Sequence, residues 1–175
     1  MTMVTSDQNS VGITLVLGGA RSGKSRFAEN LMPDTADCLY IATAEARDDE
    51  MRDRIASHQE RRGNNWITVE EPLNLAQSLT NTDGKPALVD CLTLWLSNLM
   101  GDARDIHSET QNLLGVLETM NSPVVIVSNE VGQGIVPANA MARQFRDHAG
   151  QLNQAVAAIA DNVFFVTAGI PTQLK

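Results

Sequence analysis

Short runs rich in apolar and β-branched residues alternate along the chain with longer stretches whose apolar positions recur every three or four residues. The first kind, Ile13 to Leu17, Cys38 to Thr43, Trp66 to Val69, Ala87 to Cys91, Val124 to Ser128 and Val163 to Thr167, predicts six strands. The second kind predicts helices over Lys24 to Met32, Asp48 to Arg62, Leu73 to Thr80, Thr93 to Met100, His107 to Met120 and Ala138 to Ala160. Regular alternation of this sort implies an α/β fold, a mainly parallel sheet flanked by helices. Pro- and Gly-bearing stretches such as Thr82-Asp83-Gly84-Lys85-Pro86 fall between these runs and mark turns, and no repeat or low-complexity tract divides the chain. Ligands of open parallel sheets gather at the carboxyl ends of the strands. That rule brings Thr43-Ala44-Glu45, Asp90 and Ser128-Asn129-Glu130 to one edge.

The 175 residues, 43% of them hydrophobic, suit one domain over residues 12–175, with residues 1–11 expected to form a disordered extension. That polar start lacks the layout of a signal peptide, and no apolar stretch reaches the roughly 18 residues of a membrane span. A net charge of -8 argues against nucleic acid as a partner. Cys38 and Cys91 are far apart and lie in or beside apolar runs, so buried free thiols in a reducing cytoplasm are expected.

Directly behind the first strand stands Gly18-Gly19-Ala20-Arg21-Ser22-Gly23-Lys24-Ser25, which satisfies G-x-x-x-x-G-K-[ST] at every fixed position. Its glycines permit backbone angles that turn successive N–H groups inward around phosphate oxygens at a helix start. Lys24 adds a cation for the β and γ phosphates, and Ser25 a hydroxyl for Mg²⁺. A nucleoside triphosphate is the expected ligand. Ala87-Leu88-Val89-Asp90 has the form of a strand that delivers a Mg²⁺-binding carboxylate, although strands also end in Asp for turn formation alone.

Between Arg47 and Arg62, a period of about 100° per residue aligns Met51, Ile55, His58 and Arg62 on one helix face. Spacing by itself leaves His58 open between a reactive imidazole and a packed or solvated one. His107 and His148 carry still less signal.

Taken together, the loop GGARSGKS, the stretches LYIAT, DDEM, R-I-x-x-H and WITVEEP, and the segments SNEVGQGIVP and ARQFRDHAGQLNQ closely resemble the bifunctional adenosylcobinamide kinase and adenosylcobinamide-phosphate guanylyltransferase family of cobalamin biosynthesis. The likeness runs from Ile13 to Lys175. It implies a RecA-like P-loop NTPase fold, often assembled as a trimer, that phosphorylates adenosylcobinamide with ATP or GTP. The same family then transfers GMP from GTP onto that phosphate, giving adenosylcobinamide-GDP and pyrophosphate. The resemblance makes His58 the carrier of GMP. It also carries nucleotide contacts onto Gly18 to Ser25, Thr43, Ala44, Glu45, Gln59, Glu60, Arg61, Arg62, Glu70 and Asp90. Relatives can have a second histidine where Ser57 stands and a glutamate where Asp90 stands, which leaves Asp90 open between ribose and Mg²⁺. No general base for the cobinamide hydroxyl is identifiable, Glu130 being one candidate at a strand end. Two rival readings of the residues are a monofunctional small-molecule kinase and a noncatalytic, nucleotide-gated assembly module.

Overall fold

In the computed structural model, which describes residues 12–34, 37–45 and 65–175, seven strands form one sheet in the order β3-β2-β4-β5-β1-β6-β7. They are β1 (Ile13–Gly18), β2 (Cys38–Ala42), β3 (Trp66–Glu70), β4 (Ala87–Asp90), β5 (Val124–Asn129), β6 (Asn162–Thr167) and β7 (Ile170–Gln173). The first six run parallel, and β7 alone is antiparallel, against β6. The inner strands are near-continuous Val, Ile and Leu because a parallel sheet is covered on both faces; β5 buries five of its six residues.

Five helices are described: α1 (Lys24–Glu29), α2 (Leu75–Thr80), α3 (Leu92–Gly101), α4 (Ile106–Thr119) and α5 (Ala140–Ile159). Two apolar clusters lie within the fold. The larger joins Leu15, Ile41, Val89 and Ile126 of the sheet to Leu96 of α3, Leu113 of α4 and Val156 of α5. The smaller joins Val16, Tyr40, Leu88 and Val127 to Ala28 of α1. Trp95, 1% exposed, anchors the first by its bulk and donates its indole N–H to Leu73 O at 2.8 Å.

Helix starts follow local side-chain chemistry. Asp105 accepts from Ser108 N at 2.6 Å ahead of α4, and Asn139 accepts from Met141 N at 2.8 Å ahead of α5. Of the boundaries that depart from the periodicity, two have a further local cause. Helix α1 stops at Glu29, because Leu31 N and Met32 N turn back to the carbonyls three residues earlier and Pro33 follows. Helix α2 begins at Leu75, the N–H groups of Leu73 and Asn74 being taken by Glu71 Oε1 at 3.0 and 2.7 Å. The expected helix over Asp48 to Arg62 and the extension over residues 1–11 lie outside the described residues.

Candidate nucleotide site

Gly18 closes β1 under tight contact. A Cβ there would stand 2.6 Å from Val166 O and 2.5 Å from Ser22 Oγ, so only glycine lets β1 run into the turn beside β6. Arg21 at φ 55° and Gly23 at φ 93° then curl the chain, and α1 opens at Lys24. Ser22 N donates to Gly19 O at 3.3 Å inside the curl. Among the described residues, the backbone N–H groups of Ala20, Arg21, Gly23, Lys24 and Ser25 have no protein acceptor. Native backbones rarely leave a run of donors unpaired unless something else accepts from them. The Lys24 ammonium folds over the same curl and donates to Gly19 O at 3.1 Å.

One strand separates this loop from Asp90. In the order β4-β5-β1, Asp90 ends β4 opposite Val127 of β5, while Gly18 lies opposite Asn129 of β5. Two strand spacings and a stagger of two residues along β5 put the two strand ends about 12 Å apart, a span that a metal-bound phosphate can bridge. Asp90 Oδ2 accepts from Tyr40 Oη at 2.9 Å. Behind it, the Cys91 thiol approaches Thr93 Oγ1 at 3.1 Å, and Asn129 Nδ2 donates to that hydroxyl at 2.6 Å. Burial, then the Asp90 charge, pushes the Cys91 thiol up to about 11, against the opposing pull of hydrogen bonds from Thr93 and Leu94 and of the Lys24 ammonium. Cys91 is therefore an inert buried thiol, as its apolar flank predicts.

The remaining site residues fall into three groups. Thr43 is fully buried, and its hydroxyl donates to Cys91 O at 2.7 Å and accepts from Cys91 N at 2.8 Å. Asn98 Nδ2 in turn donates to Thr43 O at 2.8 Å and Pro72 O at 3.1 Å. Thr43 thus ties the ends of β2 and β4 together, and Ala44 and Glu45 follow it along the same edge. Glu70 is exposed at the end of the outermost strand β3, four strand spacings or about 19 Å from β1, so the fold does not bring it beside the loop. His58, Gln59, Glu60, Arg61 and Arg62 lie outside the described residues. Glu130 N donates to Gly18 O at 3.1 Å, while its carboxylate turns onto its own loop and accepts from Gly132 N.

Two features escape the sequence reading. The Cys91, Thr93 and Asn129 cluster carries no motif. The β6–β7 turn, whose Gly169 touches the phosphate loop, had as its signal only the Gly169-Ile170-Pro171 step after an apolar run.

A phosphate loop on the first strand of a parallel sheet, with a carboxylate two strands away, defines a P-loop NTPase of RecA-like type. In fold the chain is similar to the flagellar accessory protein FlaH of Methanocaldococcus jannaschii, with a TM-score of 0.51 at 8% identity over 94% of this chain and 78% of that one. Residues 14–174 match the family of cobinamide kinase / cobinamide phosphate guanyltransferase, and the chain belongs to it. It is 47% identical to the bifunctional adenosylcobalamin biosynthesis protein CobP of Pseudomonas aeruginosa, over 92% of this chain and 96% of that protein. It is 41% identical to the bifunctional adenosylcobalamin biosynthesis protein CobU of Escherichia coli, over 92% and 98%.

Proposed function

We propose that this protein phosphorylates adenosylcobinamide at its aminopropanol hydroxyl with ATP or GTP, and then transfers GMP from GTP to the new phosphate through a guanylyl-histidine at His58. The observation that carries the reading is the set of N–H groups of Ala20, Arg21, Gly23, Lys24 and Ser25 that have no acceptor among the described residues, beneath the Lys24 ammonium, an array of donors matched to a triphosphate. Family membership supplies the acceptor.

For the kinase step the loop donors and Lys24 hold the β and γ phosphates in place while charge develops, which is the main demand of phosphoryl transfer. Ser25 Oγ and the Asp90 carboxylate are hard oxygen donors suited to Mg²⁺. Among the described residues no cluster of three His, Cys, Asp or Glu could hold a metal, so the fit is to an ion shared with the nucleotide. When bound, Mg²⁺ neutralises phosphate charge.

For the second step a neutral imidazole nitrogen of His58 attacks the α phosphorus of GTP. The N–P bond forms as the Pα–O bond breaks and pyrophosphate leaves; an oxygen of adenosylcobinamide phosphate then attacks the same phosphorus and frees the histidine. Arg61 and Arg62 stabilise the phosphate charge. Gln59, Glu60, Thr43, Ala44, Glu45 and Glu70 complete the nucleotide contacts on the strength of the family likeness. The reading includes a homotrimer working in the cytoplasm with neither nucleic acid nor membrane as partner. The charge of -8 argues against nucleic acid, and among the described residues no helix is long and apolar enough to cross a membrane; the trimer rests on the family likeness.

The test is incubation with Mg²⁺ and GTP labelled at the α phosphate. The protein should gain one GMP in an acid-labile linkage that maps to His58. His58→Ala should lose guanylyl transfer yet keep kinase activity. A GMP adduct elsewhere, or full transfer by His58→Ala, defeats the histidine mechanism; phosphorylation without any adduct in the unsubstituted protein would leave a kinase alone.

A further inference from the structure

Strand β7 buries none of its four side chains, so packing of the core does not explain it. It is joined to β6 by two residues, Ala168 at φ 52° and Gly169 at φ 78°, between the paired Thr167 and Ile170. Two successive left-handed residues make the tight hairpin turn that matches the twist of the flanking strands. In such a turn the second residue's N–H is not used by the strand ladder. Here it donates to Ser22 O, in the middle of the phosphate loop, at 2.7 Å. Contact is close on the next residue too, for a Cβ on Gly23 would stand 3.1 Å from Gly169 Cα.

The Ser22–Gly23 peptide is trans, and in a planar trans peptide the N–H points opposite to the C=O. Holding Ser22 O outward against the hairpin therefore aims Gly23 N–H the other way, into the concave side of the loop, where it has no protein acceptor. We propose that Gly169 is a positioning residue for phosphate binding: its N–H fixes the plane of the Ser22–Gly23 peptide and so presents the Gly23 N–H to the polyphosphate. The inference rests on the reading of this loop as a triphosphate site. It gives the β6–β7 hairpin a function, as a buttress behind the loop.

Substitution separates the orientation of this peptide from bulk, because a Cβ at Gly169 meets nothing within 4 Å. Gly169→Val strongly disfavours the left-handed backbone, while Gly169→Asn tolerates it and keeps the N–H. Binding of a non-hydrolysable ATP analogue and of AMP, both with Mg²⁺, is measured by calorimetry, together with thermal unfolding without nucleotide. Gly169→Val should weaken the triphosphate analogue by about 10- to 100-fold, the range for a hydrogen bond to a charged group, with AMP affinity essentially unchanged. Gly169→Asn should restore tight binding. If the valine variant does not fold, Gly169→Ala takes its place with the same order of effects. Unchanged analogue binding in the valine or alanine variant overturns the inference. So does equal weakening of analogue and AMP, or an asparagine variant as impaired as the valine one. Failure of the unsubstituted protein to bind the analogue would overturn the loop assignment itself.

Discussion

Thr43→Val replaces one hydroxyl by a methyl of nearly the same size at a fully buried position, and its effect can be worked from the bonds around Cys91. The hydroxyl has two partners, Cys91 O and Cys91 N. Without it Cys91 O keeps an acceptor's role, since Trp95 N still donates to it at 3.1 Å at the start of α3. Cys91 N loses its partner. One buried N–H left unsatisfied costs about 1 to 3 kcal/mol, and valine cannot repair it. For a chain of this size that loss lowers the midpoint of thermal unfolding by roughly 2 to 10 °C. Urea unfolding and calorimetric binding of a nucleotide with Mg²⁺ on the same variant decide the matter. Unchanged stability with weakened nucleotide binding would refute this account, because it would mean that the hydroxyl faces the ligand and not Cys91.

Lys24→Ala should slow both the kinase and the guanylyl step by removing a phosphate contact worth on the order of 2 to 4 kcal/mol in the transition state, by analogy with an oxyanion donor. Near-normal rates for both in a folded variant would count against the site. Cys91 predicts a pH effect. Its folded value of about 11 lies above the ordinary thiol value of 9.0, so the folded state keeps a proton that the unfolded chain releases in between. Stability from this group is complete below pH 9.0 and is lost as pH rises toward about 11, at most about 1.4 kcal/mol per pH unit. Unfolding measured across that window should fall less steeply for Cys91→Ala than for the unsubstituted protein, and equal slopes would contradict it.

The parallel core was legible because a strand buried on both faces leaves an unbroken apolar run, as in Val124-Val125-Ile126-Val127. The phosphate loop was legible because its spacing is dictated by backbone geometry. Strand β7 was not, since Ile170-Pro171-Thr172-Gln173 alternates nothing, lies wholly exposed and contains a proline that only an edge strand accepts. The bond of the Thr43 hydroxyl to Cys91 was not legible either, since no pattern in the sequence reveals a partner 48 positions away. Glu70 shows the same limit, for strand order decides its distance from Gly18 and strand order is not written in periodicity.

Strand β1 stands between β5 and β6, both made from the last third of the chain. During synthesis, therefore, the phosphate loop emerges from the ribosome before either neighbour of its strand, and β1 lacks both until β5 and β6 have been translated. Stalled chains that end before Asn162 should bind no nucleotide, and those that end between β6 and the hairpin turn should bind it weakly. Until then the unpaired edges of β1 are a segment that the growing chain must keep from pairing wrongly.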